Sequence, residues 1–367
     1  MAIVYLHIGA PKTATSTLQS MMAGNFQQLL KQGVLYPKLL RHGDAHHTLV
    51  ADLIQAYQGH TMADLWYGDR TRGKAWQNLQ QEIEQHPGIQ KIILSSELFF
   101  GQTQRLEDML ADIRSRLSEH ELKVVVYLRR QDELYSSFFN QDVKGARQWA
   151  HNAYQFFQTH QIFQHDYSEL LGIWSNGVGR ENVMIRPYES AQWVGGNIVE
   201  DFCTVTGIEP LSNVRTTPNE SLGPTQLYLK RCLNRVGYDK GANENVLALL
   251  RRVCPEAPGK PCIYVHRGLY RQQRKKWIQV NKRISDQYLD GKPLFREPIP
   301  PPEKVDLYQP ELAQIEHCLL ALFEHFTRRG EQEHRSLFAR AMLLILAEND
   351  LWDVAESERC NTLIQWI

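Results

Sequence analysis

Short apolar runs alternate with helix-type patterns along the first half of the chain. Residues 3–8, 92–94 and 124–128 are nearly unbroken apolar runs, and a fourth run follows near residues 183–185. Continuous apolar runs of this length are typical of parallel strands that are buried on both faces. Apolar residues at helical spacing separate the runs and fill most of the last third of the chain. The pattern therefore predicts an α/β fold, with a parallel sheet flanked by helices and a largely helical C-terminal extension.

Polar residues interrupt the pattern directly after the first run. Gly9, Ala10 and Pro11 break the strand, and apolar residues resume at helical spacing from Leu18. A helix N-terminus that follows a strand and a tight loop can bind phosphate, because its first N–H groups have no internal partners and the helix dipole favours an anion. The loop also carries one cation and several hydroxyls, at Lys12, Thr13, Thr15, Ser16 and Thr17. It predicts a nucleotide-phosphate site, and an ordinary turn with a Thr or Ser N-cap is the alternative.

The loop does not fit the G-x-x-x-x-G-K-[ST] pattern of P-loop NTPases, because Lys12 follows Gly9 by only three residues and no Gly-Lys pair is present. It resembles the 5′-phosphosulfate loop of sulfotransferases that use 3′-phosphoadenosine 5′-phosphosulfate (PAPS), which usually reads P-K-T-G-T-T. Here the loop reads Pro11-Lys12-Thr13-Ala14-Thr15-Ser16. Ala14 stands where the family usually has Gly, and Ala resists a positive φ. The resemblance therefore implies a P-loop-like fold with an altered residue in its binding loop.

A second stretch resembles the same family. Its members carry an Arg at a strand end and a Ser eight residues later, and both bind the 3′-phosphate; Arg129 and Ser137 match this spacing. The usual R-N-P-x-D reads here Arg129-Arg130-Gln131-Asp132, so Arg130 and Ser136 remain alternatives. A guanidinium fork suits a dianionic phosphate, and a hydroxyl adds a directional bond. A charged surface turn after a core strand is the other interpretation.

The run at residues 92–94 ends in Ser95, Ser96 and Glu97. Ligands of open α/β sheets bind outside the carboxyl ends of the strands, so these side chains should share a crevice with Lys12 and Arg129. The resemblance implies a catalytic His or Glu at this strand end, which selects Glu97. A Glu that only charges the start of the next helix is the alternative. His42, His46 and His47 lie in the polar stretch before residue 48 and could also act as the base or contact substrate, and a solvated loop is the alternative.

The resemblance covers roughly residues 1–210, and what it implies is a PAPS-dependent sulfotransferase. Lys12 and Glu97 would be catalytic, and an acceptor hydroxyl, on a glycan or glycolipid, would attack sulfur in line and release adenosine 3′,5′-bisphosphate without a metal. The implied nucleotide-binding set is Pro11, Lys12, Thr13, Ala14, Thr15, Ser16, Thr17, Arg129 and Ser137. Residues 1–210 would form the PAPS-binding core, and residues 211–367 a helical region that packs on it. A P-loop-like kinase or NTPase, or a nucleotide-binding protein without catalysis, remains an alternative.

Composition narrows these expectations. Lys plus Arg and Asp plus Glu each number 41 among 367 residues, and this balance disfavours a general nucleic-acid binder. No run approaches 18 apolar residues, so no membrane span is expected, and the start of the chain does not predict a signal peptide.

The six cysteines form no C-x-x-C pair and indicate reduced thiols in a cytoplasmic protein. A zinc site at Cys254, Cys262 and His266 is disfavoured because no fourth ligand is evident. The basic segment 266–283 is expected to be a solvated helix face, or to contact the 3′-phosphate or an acidic glycan.

Overall fold

The first apolar run forms the central strand of a five-stranded sheet in the computed structural model. The model describes residues 1–102, 104–160, 166–211, 221–237, 243–256, 267–304, 310–329, 332–349 and 357–367. The strands are β1 (Ile3–His7), β2 (Val34–Leu35), β3 (Lys91–Ser95), β4 (Glu121–Leu128) and β5 (Val183–Pro187). Their order is β2-β3-β1-β4-β5, and every neighbouring pair is parallel. The predicted α/β fold with a parallel sheet flanked by helices is confirmed.

Helices connect the strands and make up most of the remaining described chain. Those up to the end of the sheet are α1 (Thr15–Gly24), α2 (Phe26–Lys31), α3 (His47–Gln58), α4 (Ala75–Glu84), α5 (Leu106–Arg116), α6 (Gln131–Lys144), α7 (Ala153–Thr159) and α8 (Tyr167–Val178). After β5 follow α9 (Ile198–Thr206), α10 (Pro224–Arg235), α11 (Asn243–Val253), α12 (Arg267–Tyr288), α13 (Leu312–Arg329), α14 (Gln332–Asn349) and α15 (Ser357–Trp366). Along the described chain, no helix is long and apolar enough to cross a membrane.

One predicted helix is divided in two. The apolar spacing predicts a single helix from the loop to about residue 31, whereas α1 ends at Gly24 and α2 begins at Phe26. The Asn25 amide Nδ2 donates to the Met21 carbonyl oxygen at 2.8 Å. Asn competes for nearby backbone groups in this way, which favours a helix end over a continuous helix.

The core between the sheet and α1 and α9 fixes the helix that follows the Lys12 loop against the sheet. Alternate residues of three strands, Tyr5, Ile93 and Val125 among them, pack against Leu18 of α1 and Phe202 of α9. The intervening strand residues are also buried, including Val4, Leu6, Leu94 and Val124. Burial on both faces explains why these strands are continuous apolar runs.

The chain divides into two compact units. The first is formed by Met1–Arg130, Gln164–Pro218 and Lys275–Ile299, and it contains the whole sheet. The second is formed by Gln131–Phe163, Asn219–Arg274 and Pro300–Ile367, and its described elements are helical. The units interleave along the sequence, and the division predicted at residue 210 stays a prediction.

The expectation that all cysteines are reduced is wrong for one pair in the second unit. Cys254 and Cys318 form a disulfide, with Cα atoms 5.4 Å apart, between the end of α11 and α13. They are 64 residues apart in the sequence, so no local spacing pattern indicated the pairing. Cys203 and Cys232 are buried free thiols, and Cys262 and His266 of the disfavoured zinc site lie outside the described residues.

Candidate active site

The loop after β1 is tied to the neighbouring strand β4 by backbone hydrogen bonds. The amides of Ile8 and Ala10 donate to the carbonyls of Val125 and Tyr127 at 3.0 and 2.8 Å, and the Tyr127 amide donates to the Gly9 carbonyl at 2.7 Å. Gly9 has φ +104°, and a Cβ there would lie 3.2 Å from the Cβ of Glu97. Only glycine fits this conformation and this close approach. The loop is therefore held rigidly beside the end of β3.

The turn into α1 has an unusual backbone. Lys12 and Ala14 have φ values of 64° and 58°, in the left-handed region. Ala14 thus adopts a conformation that glycine adopts without strain and that costs an L-residue about 1–2 kcal/mol. A left-handed residue followed by a right-handed helical one brings successive N–H groups into one concavity, as in an anion-binding nest.

The N-terminus of α1 is open to an anion. No side chain caps it, and no acidic residue lies in its first turn. The first-turn N–H groups have no partner inside the helix, and the dipole favours negative charge there. The Thr13 hydroxyl donates to the Ala10 carbonyl at 2.5 Å and is used inside the loop, and Thr15 is buried. Ser16 is exposed and Thr17 is partly buried, so these two hydroxyls can still meet a ligand.

The sheet order brings Arg129 to the same loop. The chain leaves β1 towards the β2 edge and leaves β4 towards the β5 edge, so β1 and β4 flank the topological switch point where ligands bind in open sheets. Arg129 follows β4, and its Nη1 donates to the Lys12 carbonyl at 3.0 Å. The guanidinium also lies 5.3 Å from the centre of the Tyr188 ring, in a cation–π contact. Arg129 and Lys12, the cations of the two sequence motifs, are therefore adjacent in the folded chain.

Arg130 has different surroundings. Its Nη1 lies 3.6 Å from Glu297 Oε2, a carboxylate on the segment after α12. Arg129, the arginine that the eight-residue spacing selects, is bonded to the Lys12 loop. The two serine candidates lie on α6 of the second unit, where Ser136 is buried and Ser137 is partly buried. Their role at a 3′-phosphate stays a prediction.

Glu97 lies where the sequence predicted it, directly beyond the end of β3, at the start of a short 3-10 turn. Its side chain keeps 24% of its surface exposed. Its Oε2 accepts a hydrogen bond from Gln19 Nε2 of α1 at 3.0 Å. The carboxylate is therefore fixed on one oxygen and accessible at the carboxyl edge of the sheet.

The three candidate histidines differ in what their ring nitrogens contact. His47 Nε2 lies 4.0 Å from Glu97 Oε1, its Nδ1 is 2.9 Å from the Ser96 hydroxyl, and burial lowers its pKa. His46 is buried with both nitrogens engaged, since Nδ1 accepts from the Ser95 amide and Nε2 donates to the Pro37 carbonyl, each at 2.9 Å. Burial lowers the pKa of His46 to about 3. His42 pairs through its backbone with Ala45 and is partly exposed. The geometry thus sets His47, rather than His46, beside Glu97.

Sequence reasoning missed the residues behind Glu97. His7 Nδ1 lies 2.8 Å from the Ser95 hydroxyl, and that hydroxyl accepts from Gln19 Nε2 at 3.2 Å. All three residues are buried, and burial lowers the pKa of His7 to about 4. Two features of the sequence could have indicated these residues: a histidine within an apolar strand, and a glutamine beside Leu18 on an apolar helix face.

Among the described residues, no group of three or more His, Cys, Asp or Glu side chains is arranged to hold a metal ion.

Comparison with known proteins finds a weak structural similarity. No protein-family model and no curated protein sequence matches this chain. A crystal structure of a sulfotransferase from Alicyclobacillus acidocaldarius aligns at 12% sequence identity and a TM-score of 0.38, over 65% of this chain and 98% of that one.

Proposed function

We propose that this protein is a sulfotransferase that takes the sulfuryl group from PAPS and transfers it to an acceptor hydroxyl. The observation that carries the proposal is the hydrogen bond from Arg129 to the Lys12 carbonyl across the switch point between β1 and β4. This bond joins the ends of β1 and β4, which are followed by Lys12 and Arg129, beside the uncapped N-terminus of α1. A nucleotide with separate 5′- and 3′-phosphate groups matches such a pair of anion sites.

In this proposal, the Lys12 loop binds the 5′-phosphosulfate. The first-turn N–H groups of α1 and the hydroxyls of Ser16 and Thr17 donate to its oxygens, and the Lys12 ammonium neutralises the charge that builds on the leaving phosphate oxygen. Such electrostatic stabilisation of a transition state typically contributes a few kcal/mol. Arg129 binds the 3′-phosphate.

Glu97 is the proposed general base. It takes the proton of the acceptor hydroxyl while the acceptor oxygen forms a bond to sulfur and the bond from sulfur to the phosphate oxygen breaks, which releases adenosine 3′,5′-bisphosphate. Support comes from its partial exposure at the carboxyl edge of the sheet and from the gap of 4.0 Å to His47 Nε2. A distance of this length is too long for a direct hydrogen bond, which leaves Oε1 available to a substrate hydroxyl. The acceptor class that we propose is a glycan or glycolipid hydroxyl.

The decisive experiment is calorimetric binding of adenosine 3′,5′-bisphosphate, AMP and ATP, with and without Mg²⁺. We expect metal-independent binding that weakens strongly when the 3′-phosphate is missing, because a charged hydrogen-bonded site would lose its anion. Transfer of ³⁵S from labelled PAPS to glycan and glycolipid acceptors then tests turnover. A preference for ATP with Mg²⁺ would contradict the proposal and favour the kinase alternative.

Matched variants assign the roles within the site. Lys12→Ala should lower turnover by about 10²-fold or more, and more than it weakens nucleotide binding. Glu97→Gln should lower turnover by roughly 10²–10⁴-fold and leave nucleotide binding intact. Arg129→Ala should abolish the preference for the 3′-phosphate, whereas Arg130→Ala, which loses a pairing with Glu297, should retain it. Equal losses in the two arginine variants would overturn the assignment of Arg129.

A further inference from the structure

Gln19 is a buried polar side chain on the core-facing side of α1, with 4% of its surface exposed. Its Nε2 donates to Glu97 Oε2 at 3.0 Å and to the Ser95 hydroxyl at 3.2 Å. An ionised carboxylate can only accept hydrogen bonds, so the amide must present its NH₂ group to Glu97. Gln19 therefore joins the helix that follows the binding loop to the end of β3.

The Ser95 hydroxyl, the second acceptor of the Gln19 amide, is held in place as well. His7 and Ser95 lie opposite each other in the register of β1 and β3, and neither has any exposed surface. The Ser95 hydroxyl contacts His7 Nδ1 at 2.8 Å while it accepts from Gln19. Burial keeps the His7 ring neutral at neutral pH, since its pKa falls to about 4. A rigid, uncharged network thus anchors the Gln19 side chain.

The other groups around Glu97 do little to stabilise its negative charge, so the Gln19 amide matters for it. Within the described part of the chain, Gln19 is the side chain that donates a hydrogen bond to the carboxylate. The titratable groups that face Glu97 are His47 of α3 at 4.0 Å, His7 of β1, and Tyr36 after β2, and burial disfavours the charged form of each. The backbone of Gly9 packs against the Glu97 Cβ without offering it a hydrogen bond. Loss of the Gln19 amide would leave the negative charge of Glu97 without its nearest donor.

We propose that Gln19 is a positioning residue for Glu97, which rests on the proposed function of Glu97 as the base. The amide holds Oε2, so that Oε1 faces the gap beside His47 where the acceptor hydroxyl enters. Gln19 lies one helical turn after Thr15, on the same helix whose N-terminus binds the donor in our proposal. The helix α1 therefore connects donor binding with the orientation of the base.

The first test is Gln19→Met, which keeps the length and volume of the side chain and removes its donor. We expect kcat to fall roughly tenfold or more and the affinity for adenosine 3′,5′-bisphosphate to stay within about twofold, since a hydrogen bond to a charged group is stronger than one between neutral groups. A fall in kcat without a matching loss of nucleotide affinity is what a positioning role predicts, because the amide orients the carboxylate and does not touch the nucleotide. Gln28→Met is the control: Gln28, on α2, donates to the Pro210 carbonyl, and its replacement should change neither kcat nor the nucleotide affinity.

A measurement independent of turnover separates this inference from the proposed function. In ¹³C NMR of protein labelled at the glutamate carboxyl carbons, the Glu97 signal is the one that Glu97→Gln removes. Gln19→Met should change the chemical shift of this signal at neutral pH, because the carboxylate loses its hydrogen-bond donor. Ser95→Ala, which removes the anchor of the amide, should change it less. An unchanged chemical shift with unchanged kcat would overturn the role of Gln19. A changed chemical shift in a protein that transfers no sulfuryl group would retain the contact and overturn the proposed function.

Discussion

Glu97 and Asp201 are two carboxylates of the same unit with opposite environments. Asp201, on α9, is fully buried, and its oxygens accept bonds from Tyr127 at 2.7 Å, from the Val194 amide at 3.0 Å and from both Nε and Nη2 of Arg186. Glu97 is 24% exposed, and it accepts one side-chain bond, from the neutral amide of Gln19.

This contrast distinguishes a carboxylate that is fully engaged in the fold from one that a substrate can reach. Bidentate, charge-assisted bonds from an arginine saturate Asp201 and connect α9 to β4 and β5. Glu97 keeps one oxygen accessible, and no arginine or lysine is paired with it among the described ion pairs. We therefore interpret Asp201 as a structural group and Glu97 as a reactive one.

The largest expected effect comes from exchanging each carboxylate for its amide. Asp201→Asn should lower the free energy of unfolding by about 3–5 kcal/mol, because it leaves Arg186 partly buried without its counter-charge. Glu97→Gln should change it by less than about 1 kcal/mol, since the carboxylate is partly exposed and has no cationic partner. Urea unfolding followed by circular dichroism measures both. Similar losses in the two variants would remove the distinction.

Acidification should lower the folding stability of the region around Glu97, because His7 is buried there in its neutral form. The pKa of His7 falls from its ordinary value of 6.5 to about 4 in the folded chain, owing to burial. Between these values the unfolded chain binds a proton that the folded chain does not, so stability is full above pH 6.5 and declines as the pH falls to 4. The decline attributable to His7 is up to about 3 kcal/mol. His46 adds a loss of the same sign.

Unfolding at a series of pH values checks this expectation. His7→Gln, which can still bond to the Ser95 hydroxyl, should flatten the pH dependence between 6.5 and 4. The same slope in wild type and His7→Gln would show that the acid sensitivity arises elsewhere, and the contrast between the two carboxylate regions would lose this support.

The smallest expected effect is at Ala14, in the loop beside Glu97. Ala14→Gly removes a left-handed strain of about 1–2 kcal/mol and adds about 0.4–1 kcal/mol of unfolded-state entropy. The net result should be a stabilisation of up to about 1 kcal/mol, read as a rise in melting temperature, with nucleotide affinity retained. A destabilised Ala14→Gly variant would mean that packing of the methyl group outweighs the strain.

The fold and part of the site were predictable because their determinants are local. Apolar runs identified the strands, and Gly9, Lys12 and the hydroxyls after them marked a loop before a helix. The break at Asn25 and the disulfide between Cys254 and Cys318 were not predicted. The first depends on a side chain that bonds a backbone carbonyl, and the second on helices distant in sequence.

Local sequence patterns therefore specify the order of strand, loop and helix, and the kind of chemistry at each strand end. Which distant side chains meet depends on how these elements pack. Gln19 reaches Glu97 across 78 residues, His7 reaches Ser95 across 88, and Arg129 reaches the Lys12 carbonyl across 117. The physical reason is that periodicity specifies which face of an element is buried, whereas strand register and helix docking specify what that face touches.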